Sequence, residues 1–178
     1  HLIRFDHNIG YGRGANAGIR YGYDRGSQFF VVLNNDIGLN STDWLERFIA
    51  PLRTNPKQIV GTRYINYNAW CFHNGKIMPY LEGYFIGFSR LGLDTFGVFD
   101  PAFSPAYVED VEICWRAERH GFNLKEVSVP HHHLYGRTGY QNLGSSREPM
   151  TVRNIKTFFG KVDRDDYARI WYSEKGDA

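Results

Sequence analysis

The stretch FFVVLNNDIG, residues 29–38, decides how the rest of the chain is read. Phe29–Leu33 is apolar throughout, too short and too β-branched for a buried helix, and it predicts a central strand covered on both faces. The run stops at Asn34-Asn35-Asp36. In open α/β sheets ligands bind outside the carboxyl ends of the strands, so two amides and a carboxylate at such an end have a chemical use. An Asp oxygen is a hard donor suited to Mg2+ or Mn2+, and the amides hold hydroxyls without adding charge. An Asx turn that closes the strand accounts for the same tripeptide.

Working outward, residues 2–5 (LIRF) predict a short strand. A glycine-rich loop at 7–18 runs into a helix over about 15–23. N-cap candidates at 40–43 precede Trp44, Leu45, Phe48, Ile49 and Leu52 at helical spacing, and Pro56 closes that helix. Residues 58–62 predict another strand. Asn74-Gly75 between apolar flanks marks a hairpin over 70–79. A strand over 84–90, a helix over 108–120 closed by Gly121, and an alternating strand over 123–132 follow. A polar loop at 144–149 leads to a helix over 152–162, and the charged end of the chain reads as a helical or flexible tail. Alternating strands and helices predict an α/β fold with parallel strands that becomes mixed further along.

The 178 residues suggest one domain. The net charge of +2 comes from interspersed charges with no basic stripe, so no nucleic-acid partner is expected. Cys71 and Cys114 alone make neither a disulfide framework nor a zinc site. No apolar run approaches the roughly 20 residues of a membrane span, and none has the form of a signal peptide. The expected setting is reducing and cytoplasmic. Twelve Tyr and four Trp suit a cleft that stacks on sugar-like faces or, equally, a plain core; Trp70, Tyr80 and Tyr84 are cleft candidates on composition alone.

Three further constellations carry chemistry. Glu109, Asp110 and Glu112 open a helix, where the dipole favours acids and where a carboxylate can also take a proton from an attacking hydroxyl. His131-His132-His133 follow Pro130; alternation puts His131 and His133 on one face, and imidazole is a good ligand for Mn2+ or Zn2+. The glycines from Gly10 to Gly18 let backbone approach a ligand ahead of a helix N-terminus. A dinucleotide fingerprint does not fit, because its third glycine falls on Ala15.

Taken in order, NIGYGRGANAG (8–18), LNND (33–36), DWLERF (43–48), LEGYFIGFSR (81–90) with FGVFDPAF (96–103), EDVEICWR (109–116) and NIKTFFGK (154–161) resemble one family. The chain is similar, over residues 2–161, to family 2 inverting glycosyltransferases, close to the rhamnosyltransferase-like members. The resemblance implies the GT-A fold, a Rossmann-like mixed sheet flanked by helices, as a domain over 1–161 with residues 162–178 as a tail. It implies Asp36 as a metal ligand for Mn2+ or Mg2+, with His133 or His131 as the second. It implies Asp110 as the general base with Glu109 beside it. Asn8, Gly10, Gly14, Asn16, Asn34 and Asn35 would shape the nucleotide pocket, and Glu82 and Gly83 would border the sugar.

The implied donor is a nucleotide-diphosphate sugar (UDP-, dTDP- or GDP-linked), and the acceptor is a glycan, a lipid-linked sugar or a protein in polysaccharide biosynthesis. A peripheral association with the inner face of a membrane is compatible with such acceptors. The family opens with a βαβ unit that does not precede His1, so an N-terminally truncated domain is expected. Glu112 stands where the family usually has Asp. A non-catalytic sugar-binding module and a metal-dependent hydrolase are the alternative readings.

Overall fold

A computed structural model of the protein describes residues 1–134 and 146–171. In chain order the elements are α1 (Tyr11–Asp24), β1 (Phe29–Leu33), β2 (Ile37–Leu39), α2 (Trp44–Thr54), β3 (Gln58–Gly61), β4 (Tyr64–Ile65), β5 (Phe72–His73), β6 (Lys76–Ile77), β7 (Tyr80–Leu81), β8 (Phe85–Ser89), α3 (Arg90–Thr95), α4 (Glu109–Arg119), β9 (Asn123–Glu126), β10 (His131–His133) and α5 (Arg147–Asp163). Among the described residues no helix is long and apolar enough to cross a membrane.

The main sheet has the order β1-β8-β3-β9. β8 runs antiparallel to both neighbours, and β3 and β9 are parallel. Side chains alternate between two cores, as strand geometry requires. Phe30, Ile59, Ile86 and Phe88 face a core shared with α1, α4 and α5. Val31, Leu33, Val60 and Phe85 face a second core built on Phe48, Ile49 and Leu52 of α2. The result is a mixed α/β sheet with helices on both faces.

Several expectations change. Phe29–Leu33 is an edge strand among those described, paired only with β8 and antiparallel to it. Its apolar character reflects cover by α1 and α2 on its two faces, which says nothing about neighbours along its edges. Residues 2–5 form no strand; Leu2 is 85% exposed, and an apolar segment without a ladder partner has no reason to stay extended. α1 begins at Tyr11, so most of the glycine-rich segment is its first two turns rather than a loop.

The predicted strand 123–132 is two strands in different sheets. β9 pairs with β3, whereas β10 pairs with β2 in a separate ribbon. The break falls at Val127–Pro130: Val127 makes the last bond to Gly61, and Pro130 has no N–H to continue a ladder. Asn74-Gly75 forms the predicted hairpin turn with φ of 48° and 74°, the positive pair that a type I′ turn needs. The segment read as a tail begins inside α5. Tyr167, Ile170 and Trp171 then pack on the larger core, and Val98 N–H donates to the Ile170 carbonyl (3.0 Å). Residues 172–178 lie outside the described residues.

Candidate active site

A cavity of about 750 Å3 opens where the first turn of α1, the end of β1 and the start of α4 meet. Of the residues to which the resemblance assigns site roles, Asn8, Gly10, Gly14, Asn34, Asn35, Asp36, Glu82, Gly83, Glu109, Asp110 and His133 all line it. Two do not. The Asn16 amide donates to the Phe99 carbonyl (2.8 Å) and accepts from its N–H (3.0 Å), a buried clamp between α1 and the loop after α3. The His131 ring is turned to the Val129 carbonyl (2.7 Å) and the Tyr84 hydroxyl (3.3 Å), so it supports Tyr84 from behind.

The NND segment turns the chain out of the main sheet. Asn34 N–H bonds the Tyr84 carbonyl (2.9 Å), Asn35 and Asp36 make a turn, and Ile37–Leu39 pairs with His131–His133. The Leu134 N–H closes this ribbon on the Asp36 carbonyl (3.1 Å). The ribbon brings His133 Nε2 to 3.2 Å from Asp36 Oδ1. The His133 ring stacks on Tyr84 at 4.2 Å. Burial lowers the His133 pKa, with Asp36 opposing. Among the described residues no group of three or more His, Cys, Asp and Glu side chains could hold a metal ion; the Asp36–His133 pair offers one carboxylate and one imidazole.

The second half of the site is the start of α4. Asp110 Oδ2 accepts from Gly83 N–H (3.0 Å) and Oδ1 from Val111 N–H (2.9 Å). The Gly83 carbonyl in turn accepts from the Tyr11 hydroxyl. A Cβ on Gly83 would lie 3.2 Å from both Asp110 Cβ and the Tyr11 oxygen, so glycine is what lets the start of α4 approach the turn after β7. Burial raises the Asp110 pKa against these backbone donors. Burial and then Asp110 raise that of Glu109 well above the usual range. Gly10 fits the same logic: at φ 90°, a Cβ there would meet the Pro105 carbonyl oxygen at 2.7 Å.

α4 is entered through a strained turn. Tyr107 and Val108 have φ of 74° and 76°, a region that costs roughly 1–3 kcal/mol per ordinary residue and that a β-branched side chain adopts only under constraint. α5 supplies the constraint. Buried Asn154 donates to the carbonyls of Phe103, Ala106 and Tyr107, each at 2.9 Å, and Arg153 bonds the Ser104 carbonyl (2.6 Å). Lower on α4, Glu112 is buried against Arg116 (3.0 and 2.8 Å) and receives Lys161 (2.9 Å), which also bonds Asp100 (2.6 Å). Glu112 is thus a structural anchor, and the NIKTFFGK segment (154–161) works as the latch behind the acidic helix.

Trp70, Tyr80 and Glu82 also line the cavity. Asn68 ties the first two together: its amide donates to the Tyr80 hydroxyl (2.8 Å) and its oxygen accepts from Trp70 N–H (3.2 Å). The hairpin beyond is docked on α5, with His73 stacked on Phe159 at 4.0 Å and bonded to Asp163 (2.8 Å). Tyr11, Tyr107 and Arg147 also line the cavity and were not singled out from the sequence. Tyr11 sits inside the glycine motif, whose glycines drew the reading. Tyr107 and Arg147 carry no local pattern.

No protein-family profile matches this chain. It is similar to the low-salt glycan biosynthesis hexosyltransferase of Haloferax volcanii, at 26% identity over 154 residues, covering 72% of this chain and 50% of that protein. The chain therefore spans about half the length of the curated relative it matches. Within that span, the likeness supports a glycosyltransferase.

Proposed function

We propose that this chain transfers a hexosyl group from a nucleotide-diphosphate sugar to a hydroxyl acceptor, with inversion, on a GT-A framework. The observation that carries the reading is the convergence of the Asp36–His133 pair and the Glu109–Asp110 pair on one cavity. Its volume lies in the range of ligand sites of this size class. The likeness to a hexosyltransferase supports the same reaction class.

The residues divide the work. Asp110, fixed by two backbone N–H groups, takes the proton of the acceptor hydroxyl. The hydroxyl oxygen bonds to the anomeric carbon as the bond from that carbon to the diphosphate oxygen breaks. The electron pair leaves on the nucleoside diphosphate. A single displacement with base and leaving group on opposite faces inverts the anomeric centre. Asn34 and Asn35 at the β1 end offer amides to ribose and phosphate, and Arg147 on the wall offers fixed positive charge. Trp70 and Tyr80 give an acceptor sugar ring an aromatic face.

Asp36 oxygen and His133 nitrogen are the residues that would hold a divalent ion, and one carboxylate with one imidazole suits Mn2+ better than Mg2+. Bound there, the ion would stabilise negative charge on the departing diphosphate. A glycan, a lipid-linked sugar or a protein hydroxyl can serve as acceptor in this reading, and a lipid-linked one would bring the chain to a membrane surface.

Calorimetric titration with UDP, dTDP and GDP, with and without Mn2+, tests the donor half. Metal-dependent binding of one nucleotide, weakened in Asp36→Ala, is expected; binding of none sinks the reading. Asp110→Asn tests the base: transfer should be lost while nucleotide binding stays. Collapse of nucleotide affinity would remove Asp110 from that role, and unchanged transfer would favour a different base.

A further inference from the structure

Two neighbouring carboxyl groups line this cavity in unlike surroundings. Each Asp110 oxygen takes a backbone N–H. Glu109 is 7% exposed, and its Oε2 is buried with no hydrogen-bond partner among the described residues. The groups facing it are Asp110 on its own helix and the Tyr11 phenol on α1, whose own proton is held more tightly by burial and then by Glu109 and Asp110. Arg147 lines the same cavity. Two adjacent carboxylates in a dry wall do not both ionise readily, and the one with more N–H donors keeps the charge.

We propose that Glu109 is a neutral carboxylic acid that donates a hydrogen bond to a sugar hydroxyl in the cavity, leaving Asp110 as the charged partner. The inference rests on the reading of this cavity as a sugar-transfer site. A neutral carboxyl has one O–H donor and acceptor lone pairs, the complement of a hydroxyl's donor and acceptor. Glu109 lines the cavity, its Oε2 is unpartnered where it lies, and a turn of the carboxyl lets the group make that bond. A second carboxylate would also repel a diphosphate bound in the same cavity, which a neutral acid does not. The hydroxyl can belong to the donor sugar or to an acceptor sugar; both present the same chemistry.

Infrared difference spectra of the wild type against Glu109→Gln near neutral pH read the protonation directly. A protonated-carboxyl C=O band present in the wild type and missing in the variant is expected; its absence from the wild type overturns the proposal whatever the cavity binds. The binding arm compares UDP, dTDP and GDP with their glucose conjugates by calorimetry, and methyl glucoside by saturation-transfer NMR. Glu109→Gln keeps an N–H donor, and Glu109→Ala does not.

For a donor-sugar contact, the glucose conjugate gains over its nucleotide in the wild type and in Glu109→Gln, and Glu109→Ala erases a gain of about tenfold. For an acceptor contact, Glu109→Ala instead loses the methyl glucoside signal, which Glu109→Gln retains. Nucleotide binding with neither effect, or a Gln variant as impaired as the Ala variant, overturns this inference and leaves the transferase reading intact. A wild type that binds none of these probes overturns both.

Discussion

Asn154 and Tyr107 lie far apart in the chain and are joined by one hydrogen bond, from the Asn154 amide to the Tyr107 carbonyl at 2.9 Å. The same amide holds Phe103 and Ala106. This contact keeps a left-handed Tyr107-Val108 pair in place and so aims the first turn of α4 into the cavity.

Asn154→Ala should therefore be costly. It leaves buried carbonyls without a donor and releases a strained turn, and a loss of about 3 kcal/mol is expected. Urea denaturation measures it. A loss well under 1 kcal/mol would mean that the turn holds without the latch.

Lys161→Met tests the lower part of the same latch. Lys161 bonds Asp100 and Glu112 inside the protein, and removing one partner of a buried ionic network costs about 3–5 kcal/mol. The double variant Lys161→Met with Glu112→Gln should lose less than the sum of the two single losses, as a coupled pair requires. Additive losses in the cycle would show that the two residues act separately.

Gly83→Ala probes the proposed role of Asp110 as base, through the approach of α4 to the turn after β7. Its Cβ would press on Asp110 and on the Tyr11 oxygen, each at 3.2 Å. A fold kept within about 1 kcal/mol, with transfer slowed by about 10- to 100-fold, is expected from a displaced base. Single-turnover transfer beside thermal melting separates the two. Wild-type rates in this variant would mean that the base relaxes freely.

The pH dependence of stability follows from the paired carboxyls. Burial raises the pKa of Glu109, and also that of Asp110, above their values in the unfolded chain. In that window the folded protein holds more protons than the unfolded one, so stability falls as pH rises through it. Glu109→Gln removes one of these terms. Its melting temperature should exceed that of the wild type, by more at about pH 8 than at about pH 5. A gain that shrinks as pH rises would contradict a raised Glu109.

Much of the site was legible because its residues sit on strong local signals. A short apolar strand ending in NND, an acidic helix start and a His run are visible without tertiary context, and the fold brings Asp36, Asp110 and His133 to one cavity. What stayed hidden is set by distant partners. Nothing near Phe29 says that its strand has a described neighbour on one side only. Nothing near Ile37 says that it pairs with His133. Asn16 and His131 fit their motifs by type and spacing, yet the Asn16 amide is turned to Phe99 and the His131 ring to Val129 and Tyr84. Glu112 and Lys161 matched motif positions, and their value as a buried pair shows only once α4 and α5 are packed.

The docking of His73 on Phe159 and Asp163 makes α5 a shared chassis. The aromatic wall with Trp70 hangs from its far end, and the acidic turn hangs from Asn154 two turns earlier. Substitutions along this helix should thus shift selectivity and speed together. Exchanges confined to the Trp70 turn leave the latch alone, which makes that turn the place to retune what the cavity accepts without resetting its chemistry.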